Sequence, residues 1–168
     1  VIPHQDVKIL QNVDFKNLGN AFLSGTGDFV QLFEPTASHI EQQKKGTVIA
    51  SFGRDSGLLP YTCYMTTKTF MDKHPNVVKR FTRAIVKGQQ WIEGHSAKEI
   101  AQVVKAYFPE TSDEIIMRVI KRYKDQGSYA KDPLINEKEY THLLNIMKQA
   151  GELPKNVRYE ELVKGVPL

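Results

Sequence analysis

The sequence predicts an α/β fold: a parallel βαβαβ unit over residues 6–53, a crossing strand, and helices from there to the end. Three observations carry this prediction. Short stretches rich in β-branched and aromatic residues alternate with helix-period stretches in the first third. The connections between them are short, which favours parallel strands with right-handed crossovers. At Gly57-Leu-Leu-Pro60 the alternation breaks, and the periodicity beyond residue 75 is helical.

Taken in order, residues 7–10 read as a first strand running out to Gln11 and Asn12. Asp14 is a candidate N-cap for a helix with Phe15, Leu18, Phe22 and Leu23 on one face, stopped by Gly25. Residues 29–33, Phe-Val-Gln-Leu-Phe, read as a strand buried on both faces that ends at Glu34. Pro35 then opens a helix that runs to about Lys45 and closes at Gly46. Residues 47–52 read as the third strand. Residues 61–66, Tyr-Thr-Cys-Tyr-Met-Thr, alternate like a strand, yet no crossover leads into them, so they read as a hinge or crossing strand.

The remainder carries helix signals. His74-Pro75 starts a long helix with Val77, Val78, Phe81, Ala84, Ile85, Trp91 and Ile92 as its apolar stripe, and Gly94 as terminator. Lys79, Arg80, Arg83 and Lys87 lie on its other side, where a solvated face is the default reading. Ser96-Ala-Lys-Glu99 and Thr111-Ser-Asp-Glu114 have capping-box spacing, and the stretch from Asn136 to Glu139 opens a fourth helix that Gly151 ends. Residues 159–164 suggest a last short turn.

Composition bounds the function. The 168 residues hold 40% hydrophobic and 25% charged side chains, ordinary for a globular domain with a core. The net charge of +4 divides into −1 over residues 1–60 (5 basic, 6 acidic) and +5 over residues 61–168 (18 basic, 13 acidic). That mild asymmetry argues for solvated helix faces rather than a nucleic-acid surface. The single cysteine, Cys63, excludes an internal disulfide and a multi-cysteine metal site, and its strand-like setting suggests a packed thiol. His4, His39, His74, His95 and His142 are scattered without ligand spacing, and no phosphate loop, GxGxxG, HExxH or GxSxG motif occurs. A binding protein with no cofactor or metal is therefore expected, not an enzyme. The first residue, Val1, suggests an internal start within a longer precursor.

In a parallel sheet of this order, Asn12, Phe33 with Glu34, and the loop Gly53-Arg-Asp-Ser56 converge on one edge, where ligands bind in open α/β sheets. Glu34 has two readings there, a helix cap or a group aimed at a ligand. A buried carboxylate needs a donor, which favours a ligand with an amine or amidine-like edge.

The run "AFLSG", then "GDFVQLFEP", then "PYTCYMTTKTFMDKHPNVVKRFTRAIVKGQQWI" resembles the substrate-binding proteins of ABC importers, in the branch serving nitrate, sulfonates, taurine and thiamine pyrimidine precursors. "AYFPETSDEII", "YAKDPLINEKEY" and "ELPKNVRYEELV" match the same branch's C-terminal helices. The resemblance implies part of a two-lobe periplasmic-binding fold that closes on a small polar molecule. Residues 1–58 would be the remainder of the second lobe, and residues 59–168 the hinge return to the first lobe plus the C-terminal helices. The first lobe's N-terminal half would precede this chain, which leaves self-association of the truncated chain as an expectation. The resemblance further implies an extracytoplasmic protein, periplasmic or lipid-anchored, that hands its ligand to a membrane ABC permease and binds no nucleic acid. Glu34 matches a ligand-contacting position of the family; Asn12, Phe33 and the hinge-side Ser56 and Tyr61 follow from the same correspondence. Two rivals stand beside this reading: a thiamine-pyrimidine synthase-like enzyme of the same fold, and a helical interaction module in residues 75–165.

Overall fold

A computed structural model describes residues 1–165. Helices in chain order are α1 (Leu18–Leu23), α2 (Thr36–Gln42), α3 (Phe52–Asp55), α4 (Lys68–Lys73), α5 (Pro75–Gly94), α6 (Ala97–Val104), α7 (Asp113–Asp125), α8 (Glu137–Gln149) and α9 (Tyr159–Leu162). Short 3-10 turns at Phe15–Asn17 and Lys105–Tyr107 precede α1 and extend α6.

The expected parallel βαβαβ unit is absent. Among the described residues the only β pairing is an isolated bridge between Pro3 and Val7. Residues 7–10, 29–33 and 47–51 join no ladder, Phe52 begins α3 instead of ending a strand, and residues 61–66 form no regular element. The physical reason lies in what the pattern encodes. Alternation and β-branching favour an extended backbone, but a strand exists only when a neighbour takes its N–H and C=O groups. Of the 59–168 segment, residues 166–168 lie outside the described residues.

The helices form where local signals are strongest. Ser96 and Glu99 build the capping box of α6, with the Glu99 N–H donating to Ser96 Oγ (3.3 Å) and the Ser96 N–H to Glu99 Oε2 (2.8 Å). At α7 the cap is Ser112 rather than Thr111: the Ile115 N–H donates to Ser112 Oγ at 3.3 Å, while Thr111 is buried. Asn136 caps α8, taking the Glu139 N–H at 2.9 Å. At the other ends, Gly25, Gly127 and Gly151 adopt positive φ and close α1, α7 and α8, as αL residues do after a helix. For α2 that role falls to Lys44 (φ 56°), two residues before the expected Gly46.

The core sits where α6 packs against α7. Ile100 and Ala101 of α6 meet Ile116 and Ile120 of α7, and Trp91 and Ile92 of α5 pack alongside. Lys124 of α7 fastens the end of α5: its ammonium donates to the carbonyls of Ile92 (2.8 Å) and His95 (2.6 Å). These are carbonyls that the helix itself leaves unpaired. α2 also docks on α7, with Ile40 and Ser38 buried.

Candidate functional site

Glu34 precedes Pro35 through a cis peptide bond, and α2 begins at Thr36. Its carboxylate turns back over the start of α2. Ser38 donates to it twice, through its N–H to Oε2 and its hydroxyl to Oε1, both at 3.0 Å. Arg122 of α7 donates to the same Oε1 and, through its other nitrogen, to Glu41 Oε2 at 2.6 Å. The Glu34 side chain is 5% exposed and Ser38 is fully buried. The helix-cap role is therefore realised through Ser38, and two contacts from Arg122 tie the segment from Glu34 to Glu41 onto α7. The buried carboxylate finds its donors within the chain, which removes the desolvation reason for preferring an amine-bearing ligand.

Electrostatics in this node follow from the pairing. Burial pushes the Glu41 carboxyl up, but the Val48 N–H and the Arg122 guanidinium together outweigh it and hold the group below its ordinary value. Burial lowers the Arg122 pKa, and Glu41 and Glu34 more than reverse that, so the guanidinium is held in its charged form. Beside it, burial pushes the Tyr123 hydroxyl up.

Phe33, immediately before Glu34, belongs to an aromatic group drawn from three separate segments. Its ring lies 5.1 Å from Phe15 and 5.7 Å from Tyr61, the latter edge-on. Such tilted and edge-to-face pairs suit the quadrupoles of the rings. All three rings keep open surface, from Phe33 at 39% to Tyr61 at 73%. Of the sequence-derived site residues, the structure thus brings Phe33 and Tyr61 together, with Glu34 anchored next to them. Ser56 is engaged elsewhere: its carbonyl oxygen lies 2.7 Å from His142 Nε2 on α8, and its hydroxyl donates to the Gly57 carbonyl at 3.4 Å. Asn12 is exposed and makes no side-chain hydrogen bond among the described residues.

Sequence reasoning missed Arg122 and Phe15 as members of this neighbourhood. For Arg122 the available signal was weak: it is one of four basic residues on α7, with no acidic partner three or four residues before it. Phe15 was assigned to a helix face, and only the fold reveals that it meets Phe33. An open cleft of about 400 Å³ runs between residues 48–51, Arg54 and the α7 side chains Arg118, Lys121, Arg122, Asp125 and Gln126. Its cations are already matched: Arg118 with Glu114, Lys121 with Asp125, Arg54 with Asp55.

His95 stacks on Trp91 at 4.1 Å, and Cys63 is exposed rather than packed. Among the described residues no group of three or more His, Cys, Asp or Glu side chains could hold a metal ion. No helix described is long and apolar enough to cross a membrane.

Comparison with known proteins adds a family to this geometry. Residues 2–106 match the model of the NMT1-like family. The chain is 49% identical over 161 residues to a Bacillus subtilis protein named "Putative binding protein YtlA", an alignment spanning 96% of this chain and 48% of that protein. The chain thus covers about half the length of this curated relative. No solved structure matches. By the family match over most of its length and by this identity, the chain belongs to the NMT1-like family.

Proposed function

We propose that the protein is a solute-binding component of an ABC importer, extracytoplasmic in location, which binds a small polar molecule and passes it to a membrane permease unchanged. Membership of the NMT1-like family and a relative named as a binding protein support the solute-binding part of this reading. The ligand class is that of nitrate, sulfonates, taurine and thiamine pyrimidine precursors.

The observation that carries the proposal to a site is the Phe15–Phe33–Tyr61 group. Three partly open rings beside a fixed ionic node make a surface suited to a planar solute, with apolar area for the ring face and polar groups nearby for orientation. In this arrangement Phe33 and Tyr61 touch the ligand. Glu34 works from behind: clasped by Arg122 and Ser38, it fixes the backbone that presents Phe33. Asn12, which is exposed, would supply a polar contact from an adjoining segment. Within the ligand class, a planar aminopyrimidine uses such rings better than a tetrahedral sulfonate.

A thermal-shift screen of the native protein against nitrate, taurine, an alkanesulfonate and an aminopyrimidine tests the proposal. Saturable stabilisation by one of them is expected, because a ligand that binds only the folded state raises its stability by mass action. Absence of any shift across the panel at millimolar concentration would contradict it.

A further inference from the structure

Helix α5 carries Lys79, Arg80, Arg83 and Lys87 and a single carboxylate, Glu93. At about 100° per residue and about 1.5 Å of rise, the four cations fall within one sector about 100° wide and about 12 Å long. Asn76 and Gln90 complete that sector, and of its six residues all but Lys79 are exposed. None of the four cations belongs to an ion pair among the described residues.

The contrast with α7 shows how unusual this is within the chain. On α7, Arg118 pairs with Glu114, Lys121 with Asp125, and Arg122 with Glu34 and Glu41. Its ends also follow the helix dipole, with Asp113 and Glu114 in the first turn and Arg122 and Lys124 in the last. On α5 the order is reversed: the cations come first, and Glu93 sits in the last turn, paired with Lys131 at 3.5 Å. Lys79, Arg83 and Lys87 follow one another at i,i+4 spacing, where like charges destabilise a helix. The stripe therefore opposes the stability of its own helix and pairs with nothing described in the chain.

We infer that this face of α5 is a docking surface for an anionic lipid bilayer. The sector holds no apolar or aromatic side chain, whereas a protein partner is gripped by such anchors at the centre of its interface. A bilayer requires none, because its mobile anionic headgroups adjust to any spacing of cations. The extracytoplasmic location proposed above puts a bilayer rather than nucleic acid within reach, and on that reading this inference rests. Each Lys or Arg near such a surface strengthens binding by a factor of about five.

Sedimentation of the native protein with vesicles tests it. The protein should pellet with mixed phosphatidylcholine and phosphatidylglycerol, stay in solution with phosphatidylcholine alone, and be released as added salt screens the charges. Arg80→Gln combined with Lys87→Gln should weaken vesicle binding at least about tenfold without lowering the melting temperature. Lys138→Gln combined with Lys148→Gln makes the same change of charge at exposed positions of α8 and should weaken it less than about twofold. No pelleting with the anionic vesicles, or equal losses in the two double variants, would overturn the inference, as would tighter binding to duplex DNA than to the vesicles. A solute shift in the thermal screen that persists when vesicle binding is absent would overturn this inference alone and leave the solute-binding reading standing.

Discussion

Glu34 and Arg122 lie 88 positions apart in sequence and form one ion pair, in which the guanidinium of α7 holds the carboxylate that caps α2. This pair joins the first third of the chain to the helical remainder, and its carboxylate is buried. It explains how a segment without a sheet keeps a defined position. The helix cap fixes Glu34 relative to α2, Arg122 fixes both relative to α7, and Phe33 follows because it immediately precedes Glu34.

Removing the arginine should therefore cost more than a surface pair. Arg122→Ala leaves Glu34 buried without its counter-charge and Glu41 without its partner. The expected loss is about 3 kcal/mol, the scale for breaking a buried pair from one side. For a chain of this size it corresponds to a fall in Tm of roughly 6–12 °C. Calorimetric melts of the wild type and variant measure it; a fall under about 2 °C would mean that the pair carries no stability.

The same node makes stability depend on acid. The folded Glu41 carboxyl sits below its ordinary value of 4.5, so in the unfolded chain it binds protons more readily than in the folded one. Its contribution is present above that value and is lost as pH falls through the lower, folded one. Melts between pH 6 and pH 2 should show destabilisation in the acid range, and Glu41→Gln should flatten part of that slope. An identical acid slope in the variant would remove Glu41 from the account.

Lys124 should act as a clasp on the end of α5. Lys124→Met keeps the packing of the stem but withdraws the donors from the Ile92 and His95 carbonyls. A loss of about 1–3 kcal/mol is expected, the range for carbonyls left unsatisfied. Trp91 is the sole tryptophan and stacks on His95, so its fluorescence should report the loosening before global unfolding. An unchanged emission and melt would show that the clasp is dispensable.

Ser96→Ala removes half of the α6 capping box and should cost about 1 kcal/mol. Ser112→Ala should cost a similar amount at α7, whereas Thr111→Val, which removes the hydroxyl and keeps the shape, should leave the cap intact. If the Thr111 variant instead lost the cap, the placement of the α7 start would be wrong.

How much was readable from the residues follows the range over which each signal acts. The starts of α5, α6 and α8 were legible because Pro75, Ser96 with Glu99, and Asn136 act on atoms within one turn. The one-residue error at α7 arose because Thr111 and Ser112 both offer a hydroxyl, and burial of Thr111 decides between them. The sheet was misread because residues 7–10, 29–33 and 47–51 carry the composition of strands, but their pairing depends on neighbours that composition does not name. At the site, Phe33 and Glu34 stood together as neighbours at the end of one segment and Tyr61 entered only through the family resemblance; that the Phe33 and Tyr61 rings meet is a long-range contact neither segment encodes. Arg122 was not legible, because an arginine on a helix says nothing of a carboxylate 88 residues earlier.

The central claim, that a small solute is held against Phe33 and Tyr61, is tested most directly by titration calorimetry on the native protein and two single variants. Using the solute that stabilises the wild type most, Tyr61→Ala and Phe33→Ala should each weaken binding by about 1–2 kcal/mol, the scale of a stacked aromatic contact and its buried area. Their melting temperatures should stay near that of the wild type, since both rings are substantially exposed. Unchanged affinity in both variants would contradict the claim and move the ligand away from this face.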